Sequence, residues 1–172
     1  MGVEIERRFL IKDINTVNKL IEEYKDTRKT IVQDYIYSDL LTAIRKRKIV
    51  KNNEEKYIYT VKTGFNFLSM NEYEEVLSKE QYDSIKPDSS RYTIEKDRYI
   101  IPYNDGLKIE LDIFHGKYEG LVFAEIEFKS EEQAMNTSIP EWFDVEIGNI
   151  ISNNMLSIGI DDVEEFIKEK GK

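Results

Sequence analysis

The chain has 172 residues, a net charge of −9, a 40% hydrophobic fraction and no cysteine. The length suits a single domain, residues 1–172, and the negative charge argues against broad nucleic-acid binding, which carries a basic footprint. Lack of cysteine removes disulfides, thiolate nucleophiles and Cys-based zinc sites, and the one histidine, His115, excludes a two-His metal motif. What remains for chemistry is carboxylates, lysines, arginines and hydroxyls, a set suited to hard, oxygen-liganded cations such as Mg2+ or Mn2+.

Residues 3–11 alternate in the manner of a strand, and residues 13–24 carry Ile14, Val17, Leu20 and Ile21 at helical spacing, with Asp13 or Asn15 placed to cap. Seven further strands are predicted over 30–37, 43–50, 56–63, 70–77, 92–101, 107–114 and 122–128. Asn52-Asn53 and Asn104-Asp105-Gly106 read as hairpin turns between them. Helices are predicted over 79–85, 130–136 and 161–170, the last two capped by Ser130 and Asp161. The expected fold is α+β, with an antiparallel sheet rich enough in strands to close on itself. No run approaches the roughly 18 apolar residues of a membrane helix, and the N-terminus has no apolar signal core. A cytoplasmic protein without a membrane partner is expected.

Residues two apart on a strand share a face. Glu4, Glu6 and Arg8 fall together in this way, as do Arg45 with Arg47, Glu72 with Glu74, Lys96 with Arg98, Glu110 with Asp112, and Glu125 with Glu127. Lys62 ends the 56–63 strand, and Lys108 shares the face of Glu110. The opposite faces of the last two strands are apolar: Leu107, Ile109, Leu111 and Ile113, then Val122, Ala124, Ile126 and Phe128. An ordinary half-solvated sheet would mix Thr, Ser, Gln and Lys on its wet face. Here like charges come in pairs, which repel unless a ligand of opposite sign lies between them. Paired carboxylates make a divalent-cation site and paired bases a phosphate clamp, and closing the sheet with its ionic face inward brings both to one cavity. Lys108 and Glu110 suit a structural role as well as a site role. His115 beside Gly116 reads as a turn residue, and Tyr35, Tyr37, Tyr57 and Tyr59 as packing residues.

The opening Glu4-Ile5-Glu6-Arg7-Arg8-Phe9-Leu10 resembles the start of the CYTH, or triphosphate tunnel metalloenzyme, superfamily, whose signature is E-x-E-x-K. The later order also resembles it: Gln33-Asp34-Tyr35, Arg45-Lys46-Arg47, Thr60-Val61-Lys62, Glu72-Tyr73-Glu74, Lys96-Asp97-Arg98, Glu110-Leu111-Asp112 and Glu125-Ile126-Glu127. The resemblance spans residues 3–143 and implies a closed eight-stranded antiparallel barrel with a through-tunnel. It also implies metal-dependent hydrolysis of inorganic triphosphate or nucleoside triphosphates. Glu4, Glu6, Glu125, Glu127 and Asp112 would hold Mg2+ or Mn2+. Arg8, Arg45, Arg47, Lys62, Lys96 and Arg98 would grip phosphates, and Arg8, Glu72 and Glu74 would serve catalysis.

The expected partner is the triphosphate substrate itself, without nucleic acid, and a homodimer is compatible with it. Three positions depart from the family pattern: Arg8 replaces the signature lysine, Met70 replaces a basic residue two before Glu72, and residues 148–154 lack the usual basic stretch. Alternatives are a non-catalytic polyphosphate- or nucleotide-binding module, a thiamine triphosphatase and an adenylyl cyclase. The last is disfavoured because cyclases of the superfamily carry a His-Phe element before a motif that here starts at Glu4.

Overall fold

A computed structural model describes residues 2–39, 41–64 and 68–171. Eight strands form a closed antiparallel barrel: β1 (Gly2–Leu10), β2 (Lys29–Ser38), β3 (Thr42–Lys51), β4 (Glu54–Gly64), β5 (Ser69–Leu77), β6 (Ile94–Pro102), β7 (Lys108–His115) and β8 (Val122–Phe128). Their order around the barrel is β1-β5-β4-β3-β2-β6-β7-β8. The closure expected from the sequence is therefore made by β1, which pairs with β5 through residues 2–5 and with β8 through residues 5–10. Because every strand then has two neighbours, the barrel leaves no long unpaired edge.

Local chemistry sets the turns and ends. The β3–β4 hairpin turns on Asn52 and Asn53, with φ of 51° and 65°, the two-residue left-handed turn that Asn tolerates. The first helix, α1 (Ile14–Glu23), is capped by Asp13, whose carboxylate accepts from the Thr16 amide. Between β5 and β6 lies α2 (Lys79–Ser84), closed by a reciprocal capping box of Ser78 and Gln81. Ser130 caps α3 (Glu131–Asn136), as expected.

Two elements differ from the sequence reading. The final helix, α5 (Val163–Lys170), is capped by Asp162, which accepts from the Glu165 amide, and not by Asp161, which stands in solvent one residue too early. A further helix, α4 (Asn153–Ile158), was not predicted. Its six residues are too few for a periodic apolar signal, and Ser and Asn are weak helix formers.

Two apolar clusters fix the barrel. The first lies outside it, where Phe9, Tyr99, Ile109, Leu111, Ala124 and Ile126 present the outer faces of β1, β6, β7 and β8 to α1, α3 and Phe143. The second lies inside one end. Leu10, Ile94, Phe114 and Phe123 point inward there and pack against Ile147, Ile151 and Leu156 of the C-terminal segment. That segment reaches the position by taking the edge of β1 that β5 leaves free: the Ile147 amide donates to the Arg8 carbonyl (2.8 Å) and the Leu10 amide to the Val145 carbonyl (2.9 Å). An apolar plug thus packs into one end of the barrel, and the lumen beside it has the form of a cup. No helix among the described residues is long and apolar enough to cross a membrane.

Candidate active site

The cup holds a cavity of about 260 Å³. Alternation along each strand sends the charged file inward. Glu4, Glu6 and Arg8 come from β1, Glu72 and Glu74 from β5, Lys62 from β4, and Arg45 and Arg47 from β3. Lys96 and Arg98 come from β6, Glu110 from β7, and Glu125 and Glu127 from β8. The structure therefore gathers every site residue expected from the sequence except Asp112. Arg7, one residue out of phase, faces outward and binds the Glu146 carboxylate through two nitrogens at 2.6 and 2.9 Å.

The lumen is divided by strand order. Acids from β1, β5 and β8 form one wall, and bases from β2's neighbours β3 and β6, with Lys62 of β4, form the other. Ion pairs link the two. Lys62 bridges Glu4 (2.8 Å) and Glu72 (3.4 Å), Arg47 meets Glu74 (3.2 Å), and Arg98 meets Glu110 (2.6 Å). Same-face residues on adjacent strands are close enough for this, so like charges on one strand are screened by opposite charges on the next.

Asp112 is the correction. It is 0% exposed, is absent from the cavity wall, and spends both oxygens on the Arg98 guanidinium (2.7 and 2.9 Å) and the Lys96 ammonium (2.8 Å). Burial alone would raise its carboxyl, but Arg98 and Lys96 outweigh burial and hold it below the ordinary value. Asp112 thus anchors two bases from behind and has no free oxygen to offer a cation. Burial also brings Lys96 down to about 8, against the pull of Asp112.

Arg8 is likewise committed. Its three nitrogens donate to Glu6 (3.0 Å), Glu125 (3.3 Å) and the Ile151 carbonyl (3.0 Å), so it ties β1 and β8 to the plug. Burial works against its charge, but Glu125 and Glu6 more than compensate and the guanidinium stays protonated.

Arg45 differs from all of these. It is 7% exposed and, among the described residues, has no ion pair; its Nε and that of neighbouring Arg47 have no acceptor at all. Burial, then the Arg45 charge, lowers Arg47 to about 10. Arg45 thus keeps an unpaired buried charge beside Arg47, whose one carboxylate partner is Glu74, and such a pair suits an arriving anion.

Carboxyl groups are crowded in the same way. Glu4 lies beside Glu72 and Glu6, and Glu6 beside Glu125. Burial and then the Glu125 charge push Glu6 well above the carboxylate range, whereas Lys62 and these neighbours overcome burial and hold Glu4 low. Burial and the Glu4 contact raise Glu72 to about 7. Burial, then Glu4, also raises Glu127, which has no ion pair among the described residues. Carboxyls in contact need a proton or a cation between them, and this all-oxygen set fits a hard divalent ion. As they stand, no three ligating side chains among the described residues converge on one point, because Lys62 and Arg8 sit among the acids.

Residues 148–154, which read only as lacking basic side chains, line the cavity through Gly148, Ser152, Asn153 and Asn154. Asn153 lies 3.5 Å from both the Lys96 ammonium and a Glu125 oxygen, and Lys96 is the donor in the first contact. The available signal was Ser152 followed by Met155 and Leu156, a cap ahead of a short apolar pair; the Ser152 hydroxyl does accept from the Met155 amide.

No family model matches the chain. An inorganic triphosphatase from Acetivibrio thermocellus is 32% identical over 150 residues, 86% of this chain and 86% of that protein. An inorganic triphosphatase from Nitrosomonas europaea is 35% identical over 92 residues, 54% of this chain and 60% of that protein. Among solved structures, the crystal structure of an inorganic triphosphatase superposes with a TM-score of 0.57 at 26% identity, covering 94% of this chain and 99% of the other.

Proposed function

Because the chain belongs to the CYTH, or triphosphate tunnel metalloenzyme, superfamily, we propose that it hydrolyses inorganic triphosphate, and nucleoside triphosphates that reach the same cup. The observation that carries this reading is Arg45, a buried guanidinium without a carboxylate partner among the described residues, beside the buried Arg47, in a lumen otherwise furnished with acids. The cavity wall has seven carboxyl groups beside six bases, so most of those bases already face protein acids when a polyanion arrives. Divalent cations supply what is missing. Glu4, Glu6, Glu125 and Glu127 are the residues to hold Mg2+ or Mn2+. When bound, such an ion polarises phosphoryl oxygens and lowers the pKa of water.

The chain's own residues do the rest. Arg45 and Arg47 take the phosphate oxygens, and Lys62 exchanges its carboxylates for phosphate as the substrate settles. Phosphoryl transfer needs positioning and charge neutralisation more than a covalent nucleophile. Glu72, at about 7, has the proton affinity suited to accepting a proton from attacking water at neutral pH. Arg8 cannot act as that base and instead holds Glu6 and Glu125 in place. Asn153 and Asn154 form a neutral floor where the family pattern has a basic stretch. The cysteine-free composition is compatible with a cytoplasmic location.

The second reading, a binding module without turnover, draws on the full engagement of Arg8 by protein groups. Phosphate release from triphosphate, pyrophosphate and ATP, measured over a range of Mg2+ and Mn2+ concentrations beside calorimetric binding, decides between them. Metal-dependent release from triphosphate is expected. Tight binding with no release, unchanged in an Arg8→Lys variant, refutes hydrolysis, and cyclic AMP formed from ATP refutes it in favour of a cyclase.

A further inference from the structure

The open mouth of the cup has an order of its own. On β3, Arg47, Ile49 and Lys51 follow one another on the inner face; Ile31 and Lys29 repeat the step on β2, and Ile58 and Lys56 on β4. Together they line a second cavity of about 610 Å³ that also touches Arg47, Arg98 and Glu74 and so opens onto the first. Moving outward, the wall passes from the arginine pair, over a collar of three isoleucines, to a rim of three lysines. At about 3.3 Å per residue the rim Cα on β3 stands roughly 13 Å beyond that of Arg47.

The lysines are not neutralised locally. Among the described residues Lys29, Lys51 and Lys56 have no ion pair, while the nearby acids are engaged elsewhere: Glu55 with Lys48 (3.2 Å), Glu74 with Arg47 (3.2 Å) and Glu110 with Arg98 (2.6 Å). Glu54 is the one acid of this cavity without such a partner. Burial, then the charges of Lys51 and Arg98, lowers Lys29 below the usual lysine value, as expected for cations facing one another with no anion between them.

This reading rests on the arginine pair holding a triphosphate. We infer that the mouth is a second subsite, for a ligand with an uncharged body next to its triphosphate and a further phosphate beyond it. A nucleoside 5′-triphosphate phosphorylated again on its ribose has that chemistry. The collar decides the class. A continuous inorganic polyphosphate would press ionised phosphates against three isoleucines that offer no donor, which is costly. A sugar and base can lie there, as in pockets that are largely apolar with a few placed polar groups. A cationic body is repelled by the rim.

Calorimetric titration of the full chain with GTP, guanosine 5′-triphosphate 3′-diphosphate, inorganic triphosphate and a linear inorganic hexaphosphate tests this. The 3′-phosphorylated nucleotide binds about tenfold more tightly than GTP, the yield of two or three partly exposed ion pairs. A K51Q/K56Q variant, altered at two exposed side chains only, removes most of that difference, and Lys29→Gln removes the remainder. Equal affinity for the two nucleotides overturns the subsite, as does a preference for hexaphosphate that the lysine variants abolish. A loss that falls equally on inorganic triphosphate also overturns it, since the rim would then be a general attractor. Intact triphosphate binding with no gain from the ribose phosphate leaves the arginine site standing, whereas absent triphosphate binding removes both.

Discussion

Replacing Asp112 by Asn tests whether this carboxylate is an anchor or a ligand. In the barrel wall it neutralises Arg98 and Lys96 together, at 2.7 to 2.9 Å and 0% exposure. Asn keeps the shape and one acceptor but removes the charge, leaving two cations in the wall with one carboxylate, Glu110, between them. Breaking a buried pair from one side costs about 3 to 5 kcal/mol, a large part of the roughly 5 to 15 kcal/mol that holds a domain together. For a chain of this size that corresponds to a fall in Tm of about 6 to 20 °C.

The sign with pH follows from the direction of the shift. Asp112 is held low in the folded state, so its contribution is present above its unfolded value near 3.9 and is lost as pH falls through the folded value. The gap between wild type and Asp112→Asn should therefore be full at pH 7 and shrink in acid. Thermal and urea unfolding at several pH values measure both. A variant as stable as wild type, with divalent-metal affinity about tenfold weaker, would refute the anchor role and return Asp112 to the ligand set.

Arg45→Met should lower triphosphate affinity roughly 10- to 150-fold, the worth of a charged hydrogen-bonding group, while leaving stability unchanged or raised because an uncompensated buried charge is removed. Calorimetry with unfolding controls checks this, and unchanged affinity would count against the anion site. Leu156→Ala should cost about 2 to 5 kcal/mol in urea unfolding, since Leu156 is fully enclosed within the plug; a loss below 1 kcal/mol would mean that the plug adds little. His115 is raised chiefly by its hydrogen bond to Asp97 (3.0 Å), with burial opposing. Its contribution is full below about 6.5 and is lost as pH rises through the folded value, and it is small because the ring is partly exposed. NMR titration should show the His115 value falling toward about 6.5 in Asp97→Asn, and an unmoved titration would assign the shift to Glu119 instead.

Much of this molecule follows from period-two order along the chain. Alternation in Glu4-Ile5-Glu6-Arg7-Arg8 and in Val122 through Phe128 dictates which side chains face together, because a strand has no third direction for them. Hence the ionic face of the sheet and the apolar face of its last two strands were legible before any coordinates, whereas closure into a barrel was implied by the family resemblance. Contacts between strands were not. That Asp112 lies under Lys96 and Arg98 while Glu125, on the adjacent strand, reaches the cavity depends on register and on depth in the wall, which no single strand encodes. The same holds for Arg8, whose third partner is the Ile151 carbonyl 143 residues away. The plug was illegible for a related reason: Ile147, Ile151 and Leu156 belong to no long element, and only the free edge of β1 directs them into the barrel. Strand chemistry thus determined which charges share the lumen, and tertiary packing decided which of them remain free to meet a ligand, because neutralisation depends on neighbours in space.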